Sequence, residues 1–224
     1  MEMLATRLIA FIKAVQPEGP YRVCGYSSGG ILAYAIVQQL LNSGDKVDFL
    51  GLIDTFSPHC FRKLTTQLKH EFLTELARQS GNEHSIEISA LYPRTDELSW
   101  VQLIEFVQQL GLYPPNLSSD LVARHMEQRE NYARIVKDYV PETLTVTLHQ
   151  FYATEPSPLM PVVTGSEQES LTMDCSLGWG EVMPASLLRL IAVPGNHSSL
   201  FEDKENRIVL AQVLNRALAS NDYT

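Results

Sequence analysis

The chain has 224 residues, is 45% hydrophobic and carries a formal net charge of -9, enough for one well-packed domain of ordinary size or a core domain with an insertion. No basic block interrupts the balance of 26 acidic against 17 basic residues, which argues against a nucleic-acid partner. Cys24, Cys60 and Cys175 are odd in number and widely separated, so they form neither a secreted disulfide framework nor a CxxC site.

Residues 3–16 put Leu4, Leu8, Phe11, Ile12 and Val15 near one helical face, and Pro17, Gly19 and Pro20 punctuate the chain after it. Tyr21 to Cys24 reads as a strand, with Cys24 a small buried hydrophobe and the turn beginning at Gly25. Gly29 to Leu41 reads as a helix with Leu32, Ile36 and Leu40 on one face, stopped by Asn42-Ser43-Gly44. Val47 to Ile53 is apolar enough for a parallel strand covered on both faces. These three elements make one βαβ unit with the usual right-handed crossover.

From His59 to Val140 the pattern turns helical and strand signals become scarce. Residues 64–79, 100–110 and 119–139 are the candidate helices, and the block at 59–140 reads as a helical insertion. Leu144 to Tyr152 returns to strand character, 153–179 is loop-rich, Leu187 to Val193 is the last strand, and 203–218 is the closing helix. The N-terminus is amphipathic and lacks the continuous apolar core of a signal peptide, and no apolar stretch is long enough to span a bilayer. The expectation is a single-domain cytoplasmic protein, residues 1–224, without membrane contact.

The chemistry centres on Gly25-Tyr26-Ser27-Ser28-Gly29-Gly30. A strand, a glycine-bounded serine and a helix in that order suggest a nucleophile elbow, which lifts one hydroxyl above a sheet and aims a helix N-terminus at the same spot. Ser27 is the candidate nucleophile and needs an imidazole to take its proton; the plainer reading is a helix-capping serine. Asp54 follows the next strand, at the edge where open parallel sheets build their sites, and is the candidate that orients a histidine. Asp174, in the long loop before the last strand, is its rival. His197, in Pro194-Gly195-Asn196-His197-Ser198-Ser199-Leu200, is the candidate base, since Gly195 and Asn196 allow a tight turn back over the sheet. His59 is the alternative, being close to Asp54 in sequence. Tyr26 and Ser28 flank the nucleophile, Tyr26 as a candidate substrate contact. No HExxH motif or comparable ligand cluster suggests a metal, and no Walker-type lysine follows the glycines.

The chain order Ser-Asp-His is that of the α/β-hydrolases. Three stretches then make the chain resemble the type I thioesterase domains of nonribosomal peptide and polyketide synthetases: VQPEGPYRVCGYSSGG from Val15, VDFLGLIDTFSP from Val47 and VPGNHSSLF from Val193. The resemblance implies an α/β fold, a mostly parallel sheet flanked by helices with a helical lid insertion, here N-terminally truncated because the family's opening strands are not seen. It implies that Ser27 takes an acyl or peptidyl chain from the phosphopantetheine of a partner acyl or peptidyl carrier protein, with His197 as base and Asp54 as its orienter. The Ser28 backbone N–H would be one oxyanion donor. Release by water or by an internal nucleophile gives hydrolysis or macrocyclisation, in an antibiotic-biosynthesis setting beside upstream synthetase modules. No resident cofactor or metal is implied, and an association completing the sheet edge is one expectation for the short front end. Two other readings stay open: a free-standing ester or thioester hydrolase of small substrates, and an inactive fragment or interaction domain.

Overall fold

Four apolar runs form one wholly parallel sheet, β1 (Tyr21–Tyr26), β2 (Val47–Ile53), β3 (Leu148–Ala153) and β4 (Leu188–Val193), in the spatial order β1-β2-β3-β4. The computed structural model describes residues 1–60, 68–80, 93, 95, 97–156 and 174–220. Around and between the strands run α1 (Glu2–Val15), α2 (Ser28–Asn42), α3 (Leu68–Ser80), α4 (Trp100–Gln109), α5 (Ser119–Asp138), α6 (Ser199–Glu202) and α7 (Lys204–Ser220). The fold class expected from the sequence is the one observed, a parallel sheet flanked by helices with an inserted helical region.

The chain divides into two compact units, residues 1–64 with 136–224, and residues 65–135. In the first, β2 is apolar and buried from Phe49 to Ile53, where both its faces are covered. Phe49 and Ile53 join Phe151, Val193, Leu200 and Leu210 in one buried cluster. Leu50 and Leu52, which alternate with them, are also fully buried. Helix α2 lies against β1 and β2, α1 runs along α2, and α7 packs on β4.

The strand edges differ in detail from the expectation. β1 does not end at Cys24: Gly25 and Tyr26 stay paired with Leu52 and Ile53, so the turn falls at Ser27. β3 starts at Leu148, where pairing with Leu50 begins, and not at Leu144. Cys24 is exposed rather than buried. It sits on an edge strand, where Arg22 is exposed too.

His149 in β3 is buried and stacks on Phe49 at 4.8 Å between ring centroids. Its Nδ1 has no hydrogen-bond partner among the described residues. Burial, with the Arg189 guanidinium adding to it, lowers the imidazole pKa below its ordinary value. The folded state therefore binds this proton less readily than the unfolded chain. Stability from the neutral ring is complete above the unfolded value of about 6.5 and declines as pH falls below it. Urea midpoints at pH 7.5 and 5.5 are expected to drop in the parent and to drop less in His149→Phe. Equal drops in both proteins would show that another group carries the effect.

The described residues of the second unit are mainly helical. Ser99 opens α4 with a reciprocal capping box: its Oγ accepts from Gln102 N at 3.2 Å, and Gln102 Oε1 accepts from Ser99 N at 2.9 Å. Leu73, Leu76, Trp100, Leu103 and Ile104 form its buried core, with Leu68 and Phe72 packed against it. Phe106 of α4 is exposed, at 38%. The first four residues of the helix expected at 64–79 lie outside the described residues.

Candidate active site

The elbow is built by close packing. A Cβ on Gly25 would overlap the Gly29 carbonyl oxygen and the Gly30 Cα, and one on Gly30 would overlap the Thr55 side chain. Gly29 faces open space, so the two glycines that this turn demands are Gly25 and Gly30. Between them Ser27 takes φ 54° and ψ −134°, a conformation that costs a non-glycine residue about 1–3 kcal/mol. Its N–H donates to the Ile53 carbonyl at 2.9 Å, which pins the turn to the end of β2. Its side chain makes no capping bond to α2, so the helix-capping reading of Ser27 finds no support. Ser28 is the first residue of α2.

Asp54 follows directly. It too has a positive φ, 44°, and is 6% exposed. Its N–H donates to the Phe151 carbonyl at 2.7 Å. Its carboxylate is engaged on both oxygens: Oδ1 accepts the Ala153 N–H at 3.0 Å and Oδ2 accepts the His197 Nδ1–H at 2.7 Å. The structure thus brings together two residues 143 positions apart. A hydrogen held on Nδ1 leaves Nε2 with the lone pair, the tautomer a general base needs.

The loop carrying His197 is braced from within. Asn196 Oδ1 accepts from Ser198 N at 3.2 Å and Ser199 N at 3.1 Å, while Asn196 N donates to Ser199 Oγ at 2.7 Å. Asn206 Nδ2 from α7 donates to the Ser199 carbonyl at 3.3 Å. These supports and the short helix α6 were missed in the sequence, although Asn196 followed by Ser198-Ser199 is a readable turn signal.

The two alternatives sit elsewhere. Asp174 spends its carboxylate on its own turn, accepting from Ser176 N at 2.9 Å, from the Ser176 hydroxyl and from Gly178 N at 3.3 Å. The Ser176 hydroxyl, with the backbone donors, holds its carboxyl below the usual range. His59 is half-exposed, with Nε2 4.0 Å from Glu181 Oε2. Tyr26 does more than flank the nucleophile: its hydroxyl donates to the His197 carbonyl at 2.6 Å, and the two rings stack at 4.8 Å. Among the described residues no His, Cys, Asp and Glu group is arranged to hold a metal ion, and no helix is long and apolar enough to cross a membrane.

A family model described as the thioesterase domain matches residues 1–151. The chain is similar to aspulvinone E synthetase of Aspergillus terreus, 26% identical over 221 residues, which is 93% of this chain and 22% of that protein. Vanchrobactin synthetase of Vibrio anguillarum is 45% identical over 58 residues, 26% of this chain and 2% of that protein. The chain therefore spans at most 22% of the length of these two curated relatives. Among solved structures, a four-domain holo nonribosomal peptide synthetase bound to AMP and glycine superposes with a TM-score of 0.70 at 25% identity, covering 96% of this chain and 16% of that one. Human thioesterase 2 shares the fold, with a TM-score of 0.60 at 15% identity, over 99% of this chain and 83% of that one. With two thirds of its residues matched by the family model and the parallel sheet in place, this chain belongs to the thioesterase domain family.

Proposed function

We propose that this chain is a serine thioesterase that releases an acyl or peptidyl chain from the phosphopantetheine arm of a carrier protein. The observation carrying this reading is the buried Asp54 carboxylate, 2.7 Å from His197 Nδ1, at the strand end hydrogen-bonded to the Ser27 turn. Ser27 Oγ attacks the thioester carbonyl carbon and its proton passes to His197 Nε2. The tetrahedral oxyanion is met by the N–H of Ser28 and the positive end of α2. Collapse breaks the C–S bond, and the leaving thiolate takes the proton from His197. His197 then accepts a proton from water, or from an amine or hydroxyl of the bound chain, the new nucleophile attacks the ester carbonyl, and the leaving Ser27 Oγ takes that proton back from His197. Water yields an acid and an internal nucleophile yields a ring. Asp54 fixes the imidazole tautomer and supports the imidazolium through both transfers.

On this reading the chain works as one domain, residues 1–224, with a helical insertion of the thioesterase fold at about 59–140. Its partners are an acyl or peptidyl carrier protein and the synthetase modules that load it. The relatives support this assignment, being named as synthetases and, in the solved case, a nonribosomal peptide synthetase. The test is a comparison of one acyl group presented on a holo carrier protein and on a small thiol. A kcat/KM at least tenfold higher for the carrier-linked form is the expected result. Equal values point to a small-substrate hydrolase, and no turnover of either form by folded protein points to an interaction domain.

A further inference from the structure

The sheet order poses a mechanical problem that Tyr26 solves. Among the described residues β1 and β4 are the two edge strands of the sheet, three inter-strand spacings apart, or about 14 Å. Tyr26 ends β1, while His197 follows β4. Their rings nevertheless stack at 4.8 Å with an interplanar angle of 23°. The histidine loop therefore folds back across the ends of β3 and β2 to reach the elbow. Asp54, at the end of β2, holds the imidazole at Nδ1, a single point about which the ring can tilt. The Tyr26 hydroxyl closes the second point, donating to the His197 backbone carbonyl at 2.6 Å. Phe201 of α6 packs edge-on against the Tyr26 ring as well, with centroids 4.6 Å apart. Burial, then the Asp54 and Glu202 charges, push the Tyr26 phenol up to about 12, so it remains a donor throughout the neutral range.

We propose that Tyr26 is a positioning residue that latches the His197 loop over the nucleophile turn, fixing the imidazole by a ring stack and its backbone by a hydrogen bond. The residue beside the nucleophile would then act through the base. The proposal rests on the reading of Ser27, Asp54 and His197 as a catalytic set. A flat ring at this position also suits the step itself, because the face of a Tyr ring attracts the imidazolium that forms during acyl transfer.

The test uses Tyr26→Phe and Tyr26→Leu, with a fluorophosphonate as the probe and intact mass as the readout. Tyr26→Phe keeps the stack and loses the hydrogen bond, so the maximal rate of Ser27 modification should fall about fivefold, the worth of one ordinary hydrogen bond. Tyr26→Leu loses both and should fall about 100-fold, as expected for a misplaced catalytic group. The concentration for half-maximal rate should be unchanged in both, and the melting temperature of Tyr26→Phe should fall by no more than about 4 °C, as one lost hydrogen bond implies. NMR of the His197 ring protons gives an independent readout. Their ring-current shift should persist in Tyr26→Phe and vanish in Tyr26→Leu. Maximal rates within twofold of the parent, a loss confined to the half-maximal concentration, or His197 signals unmoved in Tyr26→Leu would each overturn the latch. A parent that is folded yet unlabelled at Ser27 overturns the catalytic reading, and the latch with it, a result distinct from a labelled parent with indifferent variants.

Discussion

Ser27→Ala is expected to abolish covalent labelling by a fluorophosphonate and to lower thioester turnover by at least about 10,000-fold, while leaving stability within about 1 kcal/mol of the parent. The two halves of this result separate function from structure. A serine serving as a helix cap stabilises its helix by about 1 kcal/mol through a bond to the backbone, and alanine forfeits it. Ser27 makes no such bond to α2, so removing its hydroxyl leaves the helix as it was. What holds the turn is backbone and glycine packing: the Ser27 N–H on Ile53 and the absence of a Cβ at Gly25 and Gly30. None of these changes in the alanine variant. Ser27→Gly extends the test, because glycine adopts φ 54° without steric strain. That variant should be equally inactive and no less stable than Ser27→Ala. Intact mass and a thermal melt on the same samples decide the matter. Labelling that persists in folded Ser27→Ala would remove Ser27 from the chemistry.

Asp54→Asn is expected to lower the acyl-transfer rate by about 10,000-fold with a small change in stability. Asparagine is close in shape and is among the residues that tolerate a positive φ, here 44°. Its Oδ1 can still accept the Ala153 N–H, so the buried donor stays satisfied. The damage is electronic and tautomeric. An amide N–H facing His197 Nδ1 pushes the ring hydrogen to Nε2, where the base must be empty, and the negative charge that supports the imidazolium is gone. Asp54→Ala is the contrast. It leaves the Ala153 N–H buried without a partner, at a cost of about 1–3 kcal/mol, besides losing activity. Stopped-flow acylation and urea midpoints on the two variants separate the roles. An active Asp54→Asn enzyme would return the orienting role to another carboxylate.

Much of this architecture was legible because its signals are local. The apolar runs at β1, β2 and β4, the glycine-bounded Ser27 and the helical pattern of α2 and α7 each lie within one stretch of chain. Asp54 and His197 were recognisable as candidates because Asp54 directly follows a strand and His197 lies in the short turn after the last one, where parallel sheets expose their site residues. The boundaries were less legible. Tyr26 reads as a turn residue, yet the ladder with β2 carries the strand through it. Leu144 to Thr147 read as strand, yet the register with β2 starts only at Leu148. Cys24 looked buried because its strand is apolar-rich, and it is exposed because that strand is at an edge.

The sequence by itself determined the elements and the residue types available for chemistry, since turn preference, helix period and strand alternation are properties of neighbours in the chain. The tertiary structure alone decided which of them meet. Asp54 and Asp174 are equivalent as letters; the fold spends Asp174 on its own turn and leaves Asp54 facing His197. The contact between Tyr26 and His197 joins residues 171 positions apart, and no local preference encodes it. It follows from the strand order, which sets how far the histidine loop must reach, and from the burial of Phe49, Ile53, Phe151 and Val193 beneath α7, which fixes that order.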